Sequence, residues 1–274
     1  MTLPAAAWDA LTAELDLWDA EGRTAYFWWR DDDAVAATPA LDRLLALQAE
    51  HSAPLALAVI PALVQDSLPA RLAGESGVVA LQHGYAHRNH AAPNEKKSEF
   101  PASRPLADRI ADLTAGQTLA HSRFGSRLMP VFVPPWNRLG ADCLPELAGL
   151  GLRAVSSFQP RPAYWAASGL AWLNTHIDPI DWHGDDHQGA AARGLGVACT
   201  CLRAMRQGVR PPEALGLLTH HLRHDEAIWA FTAAFLGGMA GHPAVRWLDA
   251  ASALGIGATA DPGAPAVSAV TRAS

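Results

Sequence analysis

What this sequence is short of narrows its class before any motif is read. Its 274 residues include three cysteines, Cys143, Cys199 and Cys201, too few and too irregularly spaced for the disulfide framework of a small secreted domain. Nowhere do more than two basic residues adjoin, and the net charge is −6. Neither a nucleic acid nor an anionic membrane surface is therefore a favoured partner. No apolar run approaches the roughly 20 residues that span a bilayer. The first residues lack a basic segment followed by an apolar core. They place Trp8, Leu11, Leu15 and Trp18 at helical spacing among Asp9, Glu14, Asp16 and Asp19, the pattern of an amphipathic helix rather than a signal peptide. These absences set the expectation of a cytoplasmic protein. The ten tryptophans suit a core, a ligand platform or a subunit interface equally, so composition fixes no oligomeric state.

What is present is an ordinary globular composition, half hydrophobic and 18% charged, on a chain long enough for one large core. Short β-rich runs recur at Ala25–Arg30, Pro54–Ile60, Val78–Gln82, Met129–Val133, Arg153–Ser156, Leu170–His176 and Leu215–Thr219. Several are apolar throughout, as strands covered on both faces are. Helical patterns lie between them. Thr38-Pro39 reads as an N-cap with proline at the first helical position, leading into Leu41, Leu44, Leu45 and Leu47. Further helices are expected at Leu106–Leu119, Ala141–Gly149, Gly194–Arg206, Asp225–Leu236 and Val245–Leu254. Alternation of this kind predicts an α/β fold with a parallel sheet, a single barrel rather than two domains. The expected division is an amphipathic helix over 1–20, a barrel over 21–254, and a disordered tail over 255–274 rich in Ala, Gly, Pro and Ser.

In such a fold, chemistry collects where strands run out at their C-terminal ends, and the polar clusters fall at those places. Arg30-Asp31-Asp32-Asp33 follows Tyr26-Phe27-Trp28-Trp29. Three adjacent carboxylates repel, so either a cation offsets them or the segment is a solvated acidic turn. His83-Gly84-Tyr85-Ala86-His87 follows Val78–Gln82. Histidines four apart on a helical turn point the same way and can share a metal, although surface pairs of this kind are common. Val133-Pro134-Pro135-Trp136-Asn137-Arg138 reads either as a rigid turn aiming the Trp136 N–H at a developing oxyanion or as a structural turn with a packed indole. Asp178-Pro179-Ile180-Asp181-Trp182 follows Asn174-Thr175-His176, and His220-His221 follows Leu215–Thr219. A histidine at a buried strand end with a carboxylate to charge it suits general acid work. Asn89, His90, Glu95, Lys96 and Lys97 either line a cleft or form a charged surface loop.

Taken in order, these clusters resemble the motifs of the polysaccharide deacetylase family, the NodB-homology or carbohydrate esterase family 4 enzymes. The resemblance runs from about Ala25 to His221. It implies a distorted (β/α)7-type barrel and a hydrolase that removes an N- or O-acetyl group with metal-activated water. It also implies a divalent metal, zinc being the expected ion, held by Asp33, His83 and His87. Asp32 would be the general base, Trp136 the oxyanion donor, and Asp178 would tune His220 as general acid. Arg30, Asn137, Arg138 and Trp182 would contact a carbohydrate or small amide substrate. The sequence departs from the family at three points. The acidic pair could be Asp31-Asp32 instead of Asp32-Asp33, and the acid could be His221. Val133 stands where the third motif carries an arginine, leaving Arg30 or Arg138 to reach the base. Two other readings remain beside a glycan substrate: a soluble amide or nucleotide-sugar, and a catalytically silent sugar-binding protein on the same scaffold.

Overall fold

A computed structural model describes residues 4–262. The longest strand, β1 (Ala25–Ala34), is central because its residues are too apolar for any edge: Phe27, Trp28 and Trp29 are fully buried on opposite faces. It pairs in parallel with β2 (Leu55–Val59) and β8 (Leu215–Thr219), and its first residues pair with the short β9 (Val245–Trp247). From β2 the sheet continues through β3 (Val78–His83), β4 (Leu128–Val133), β5 (Ala154–Val155) and β7 (Leu170–Trp172). All of these pairings are parallel. Only β6 (Trp165–Ala167) runs antiparallel, as a hairpin with β7.

The sheet curls until its ends approach. The segment after β7 bridges the remaining gap: Thr175 pairs with Phe158, and Ile177 with Leu217 of β8. At this seam Gly216 admits no side chain, since a Cβ would lie 2.7 Å from the Thr175 Cα. The result is a distorted (β/α)7-type barrel in a single domain, as the sequence resemblance implied. Trp28, Ala56, Leu81, Val131, Val133 and Leu173 fill its inside. Phe27, Trp29, Leu55 and Leu57 face outward onto the helices.

The helices are α1 (Ala5–Ala20), α2 (Pro39–His51), α3 (Ser67–Leu72), α4 (Leu106–Phe124), α5 (Leu144–Gly149), α6 (His187–Arg206), α7 (Glu226–Ala240) and α8 (Ala250–Leu254). The Thr38 cap is as expected, its side chain accepting from the Leu41 N–H. Helix α1 packs Leu11, Leu15 and Trp18 into the outer core. Among the described residues no helix is long and apolar enough to cross a membrane.

Four expectations need correction. The segment from Val245 is not one helix: Val245–Trp247 is a strand, because Val245 and Trp247 fill a slot beside Phe27, and only Ala250–Leu254 is helical. Helix α6 begins at His187, seven residues before Gly194, capped by Asp186. Helix α3 and strand β6 carry too little periodicity to be seen in advance. The expected tail disorder does not hold for residues 255–261. Arg161 donates to the Ile256 carbonyl, Trp165 to Thr259 and Ala260, and Asp261 accepts from the Gly169 N–H. The rest of that tail lies outside the described residues.

A candidate metal centre and its catalytic neighbours

Strand β1 ends in Arg30-Asp31-Asp32-Asp33, and in an undisturbed strand Asp31 and Asp33 would share a face. The ladder breaks here. Asp31 pairs with Leu57 and Ala34 with Val59, so two residues stand opposite one, a β-bulge. Asp33 takes φ 70°, the left-handed region that aspartate tolerates better than most residues. Three adjacent carboxylates thereby go three ways.

Asp31 stays on the outer face, fully buried. It accepts from the Thr219 hydroxyl at 2.7 Å, the His221 N–H at 2.9 Å and the His221 imidazole. Burial alone would raise its pKa, but His221 and Thr219 outweigh that and hold it below the usual carboxylate range. Asp32 points inside the barrel, where Arg30 grips it: Nε lies 2.8 Å from Oδ1 and Nη2 donates to Oδ2 at 3.0 Å. Asp33 turns to the histidines, its Oδ1 lying 3.1 Å from His83 Nε2 and 3.4 Å from His87 Nε2. Of the two acidic pairs left open by the sequence, Asp32-Asp33 is therefore the one that faces the histidines.

His83 is the last residue of β3 and His87 follows a turn, not the helical turn expected from their spacing. Gly84 at φ 60° and His87 at φ 54° fold the segment back. A Cβ on Gly84 would fall 2.1 Å from a Glu99 oxygen and 2.5 Å from Pro135 Cγ, so only glycine fits. Buried Glu99 fastens the turn by accepting from the N–H groups of Tyr85, Ala86 and Arg88. Nothing in the sequence distinguishes Glu99 from exposed Glu95, and it was missed. The Trp136 ring lies against His87, centroids 4.3 Å apart.

The other motifs close the cluster. Trp136 and Asn137 both have positive φ. In this turn the Asn137 and Arg138 amides bond back to Pro134 and Pro135. Asn137 Oδ1 accepts from Arg30, which also donates to the Ser156 hydroxyl and carbonyl and to the Ser157 carbonyl. Arg30 is fully buried and every nitrogen is engaged, so it offers a ligand no surface; it holds Asp32. Arg138 is exposed and donates to the Lys97 carbonyl, so it does not reach Asp32. His220 Nε2 stands 3.9 Å from Asp32 Oδ2, and Trp182 meets the His220 ring edge-on at 4.7 Å. Asp178 gives its oxygens to the Ile180 N–H and the Trp182 indole. Burial raises the Asp178 pKa and His220 opposes that rise; His220 Nδ1 is buried without a partner. His221, the alternative acid, is committed to Asp31. Asn89, Glu95, Lys96 and Lys97 fold into a surface loop, with Asn89 bonded to the Ser98 and Ala91 amides and Glu95 to Ser103.

The donor set suits a divalent cation. His83 Nδ1 donates to the Val133 carbonyl at 3.0 Å, which fixes the tautomer and turns a lone pair at Nε2 toward Asp33. Where Nε2 carries no proton, it and Asp33 Oδ1 are two acceptors 3.1 Å apart that a divalent cation would join. Without one, a proton on Nε2 completes the pair, since burial lowers the His83 pKa but Asp32 and Asp33 outweigh it and raise it. Ligand atoms about 2.0–2.2 Å from a tetrahedral zinc sit roughly 3.3 Å apart, close to the two separations found here. All three donor atoms lie within 4.8 Å of one another. Burial would raise the Asp33 pKa, but His83, His220 and His87 hold it well below the carboxylate range. Burial and the charge on His83 push His87 down, leaving it neutral and able to ligate.

No family model and no curated protein matches this sequence. Solved structures do. A Mycobacterium smegmatis protein provisionally described as a polysaccharide deacetylase superposes with TM-score 0.61 at 16% identity, over 85% of this chain and 90% of that one. The chain has the fold of carbohydrate esterase family 4 structures. A family 4 acetyl xylan esterase from Clostridium thermocellum, in complex with a cobalt ion, gives 0.50 at 14% identity over 83% and 89%. A family 4 pseudoenzyme from Bacillus anthracis gives 0.51 at 14% over 85% and 66%. At these identities the likeness is one of fold.

Proposed function

We propose that this chain is a divalent-metal-dependent hydrolase that removes an N- or O-acetyl group from a carbohydrate or amino-sugar substrate. The observation that carries the reading is the convergence of Asp33, His83 and His87 beside an arginine-held Asp32 and His220. A bound divalent cation, zinc by the ligand set, supplies Lewis-acid polarisation and acidifies water toward a pKa of ~7. Asp32 takes the proton from the attacking water, its carboxylate aimed by the Arg30 fork. The Trp136 N–H donates to the oxygen on which charge develops. His220 gives its proton to the departing nitrogen or oxygen. Water's oxygen joins the acyl carbon as the bond to the leaving group breaks, giving acetate and a free amine or alcohol.

A soluble, non-polymeric amide or nucleotide-sugar is the second reading, favoured by the apolar cavity beside Trp182. A silent sugar-binding protein is the rival class, since a pseudoenzyme shares the fold. Its support in the sequence was the absent third-motif arginine, and Arg30 fills that place. Acetate release from soluble amino sugars and insoluble glycans, with metal analysis of wild type and His83→Ala, tests the proposal. Sugar binding without metal and without turnover would overturn it.

A further inference from the structure

Beyond the cluster lies a cavity of about 890 Å³ between α6 and the segments around Phe158 and Asp178. It shares a wall with the proposed catalytic site. Trp182 lines the cavity, meets His220 edge-on at 4.7 Å, and hydrogen-bonds Asp178, which lines the cavity as well. The rest of the lining includes Phe158, Pro160, Ile180 and Val197. Its buried polar groups are committed elsewhere, while Gln159, Arg193 and Thr200 line it at exposed positions. His176 accepts from the Gly216 N–H at Nδ1 and pairs with Glu213 at Nε2. The Cys201 thiol is pushed up to about 11 by burial and stays neutral. Thr200 donates to the Gly196 carbonyl, and exposed Arg193 faces Asp186 at 3.9 Å. A sugar ring placed against the apolar part of the lining, Phe158, Pro160, Ile180 and Val197, would leave the hydroxyls facing it unpaired, which burial penalises. An apolar group would not, and the volume suits a ligand of several carbons or more.

We propose that this cavity binds an apolar arm, aryl or branched alkyl, of an amide substrate whose scissile bond lies at the Asp32–His220 site. For its link to turnover the inference rests on the second reading above, a hydrolase of a soluble, non-polymeric amide, in place of a carbohydrate substrate; the cavity is testable without it. The arm can sit on the acyl or the amine side of the bond, and the two sources are separable.

Gly196 lines the cavity from α6, and a Cβ added there meets nothing within 4 Å. Gly196 is exposed, so Gly196→Trp adds an indole at the open side of the cavity without disturbing the core, and replacing a helical glycine favours folding. Gly196→Ala is the control. Benzylacetone and benzyl ethyl ketone are neutral, non-hydrolysable mimics with the ring on the amine and acyl side respectively. Titrated onto the purified protein by ligand-observed NMR, at least one is expected to bind, with affinity lost at least tenfold in Gly196→Trp and kept in Gly196→Ala. In metal-loaded protein, the matching amide, N-acetylbenzylamine or N-methylphenylacetamide, should exceed N-acetylglucosamine at least tenfold in kcat/KM. Gly196→Trp should erase that advantage, and Gly196→Ala should keep it. If neither ketone binds, or Gly196→Trp binds as wild type does, the cavity proposal is overturned even if acetate is released from sugars. Gly196-sensitive binding without hydrolysis of any amide would support the cavity and remove the hydrolase reading instead.

Discussion

Asp31 and Asp33 are two residues apart on one strand, and each meets histidine, yet they belong to different kinds of structure. Asp31 accepts three hydrogen bonds from Thr219 and His221 in a fully buried pocket behind the sheet. Asp33 meets His83 and His87 on the rim, part exposed, with acceptor atoms facing one another. The first arrangement is chemically complete. The second is completed either by a proton on His83 or by a divalent cation. Residue type does not separate them; the bulge at Asp32-Asp33 and the left-handed turn do.

The comparison breaks if the two clusters respond alike to mutation. The largest expected effect is on Asp32, which lies between them. Asp32→Asn should lower turnover by about 10²–10⁴-fold while the protein keeps its metal, measured by steady-state rates and elemental analysis on the same sample. Next, His83→Ala should lose the metal and the activity with it, and the lost bond to the Val133 carbonyl should cost about 1–3 kcal/mol in urea unfolding. His221→Ala should cost more stability but no metal: it strands buried Asp31, at about 3–5 kcal/mol. Equal loss of metal in both variants would erase the distinction.

A third buried pair sharpens it further. Glu213 is bonded to His176, the Arg161 N–H and Arg210. Burial alone would raise its pKa, but these partners lower it to about 2. A carboxylate depressed on folding stabilises above its unfolded pKa and loses that contribution as pH falls through the folded value. The loss therefore spans about pH 4.5 to 2, worth roughly 3 kcal/mol. Glu213→Gln should remove this slope from acid-unfolding curves recorded by circular dichroism. The smallest effect is expected at the charged loop. A Lys96→Ala, Lys97→Ala double variant should change stability by less than about 0.5 kcal/mol and leave kcat/KM for an acetylated sugar within twofold; a larger change would make that loop part of the cleft.

Much of this was open to sequence reading because the barrel writes itself locally. An apolar strand followed by a polar end needs only a window of residues to be seen, and each of the seven expected strand positions carries a strand or, past β7, the bridging segment. What escaped was decided by contacts across the chain. Val245–Trp247 is short and helix-compatible, and becomes a strand only because β1 offers it a ladder. Helical spacing gave the right partner for His83 by the wrong route, since the turn that brings His87 round depends on Gly84 having no Cβ and on Glu99 capping three amides.

By itself, then, the sequence determined the alternation of strand and helix, the barrel, and the short set of polar residues at strand ends, because hydrophobic period and strand termini are properties of neighbouring residues. Only the tertiary structure decided which of three consecutive aspartates faces His83 and His87, and that the guanidinium against Asp32 comes from Arg30 and not Arg138. A bulge and a buried ion pair are set by groups more than 50 positions away, among them Ser156 and Asn137, and no local pattern carries that information.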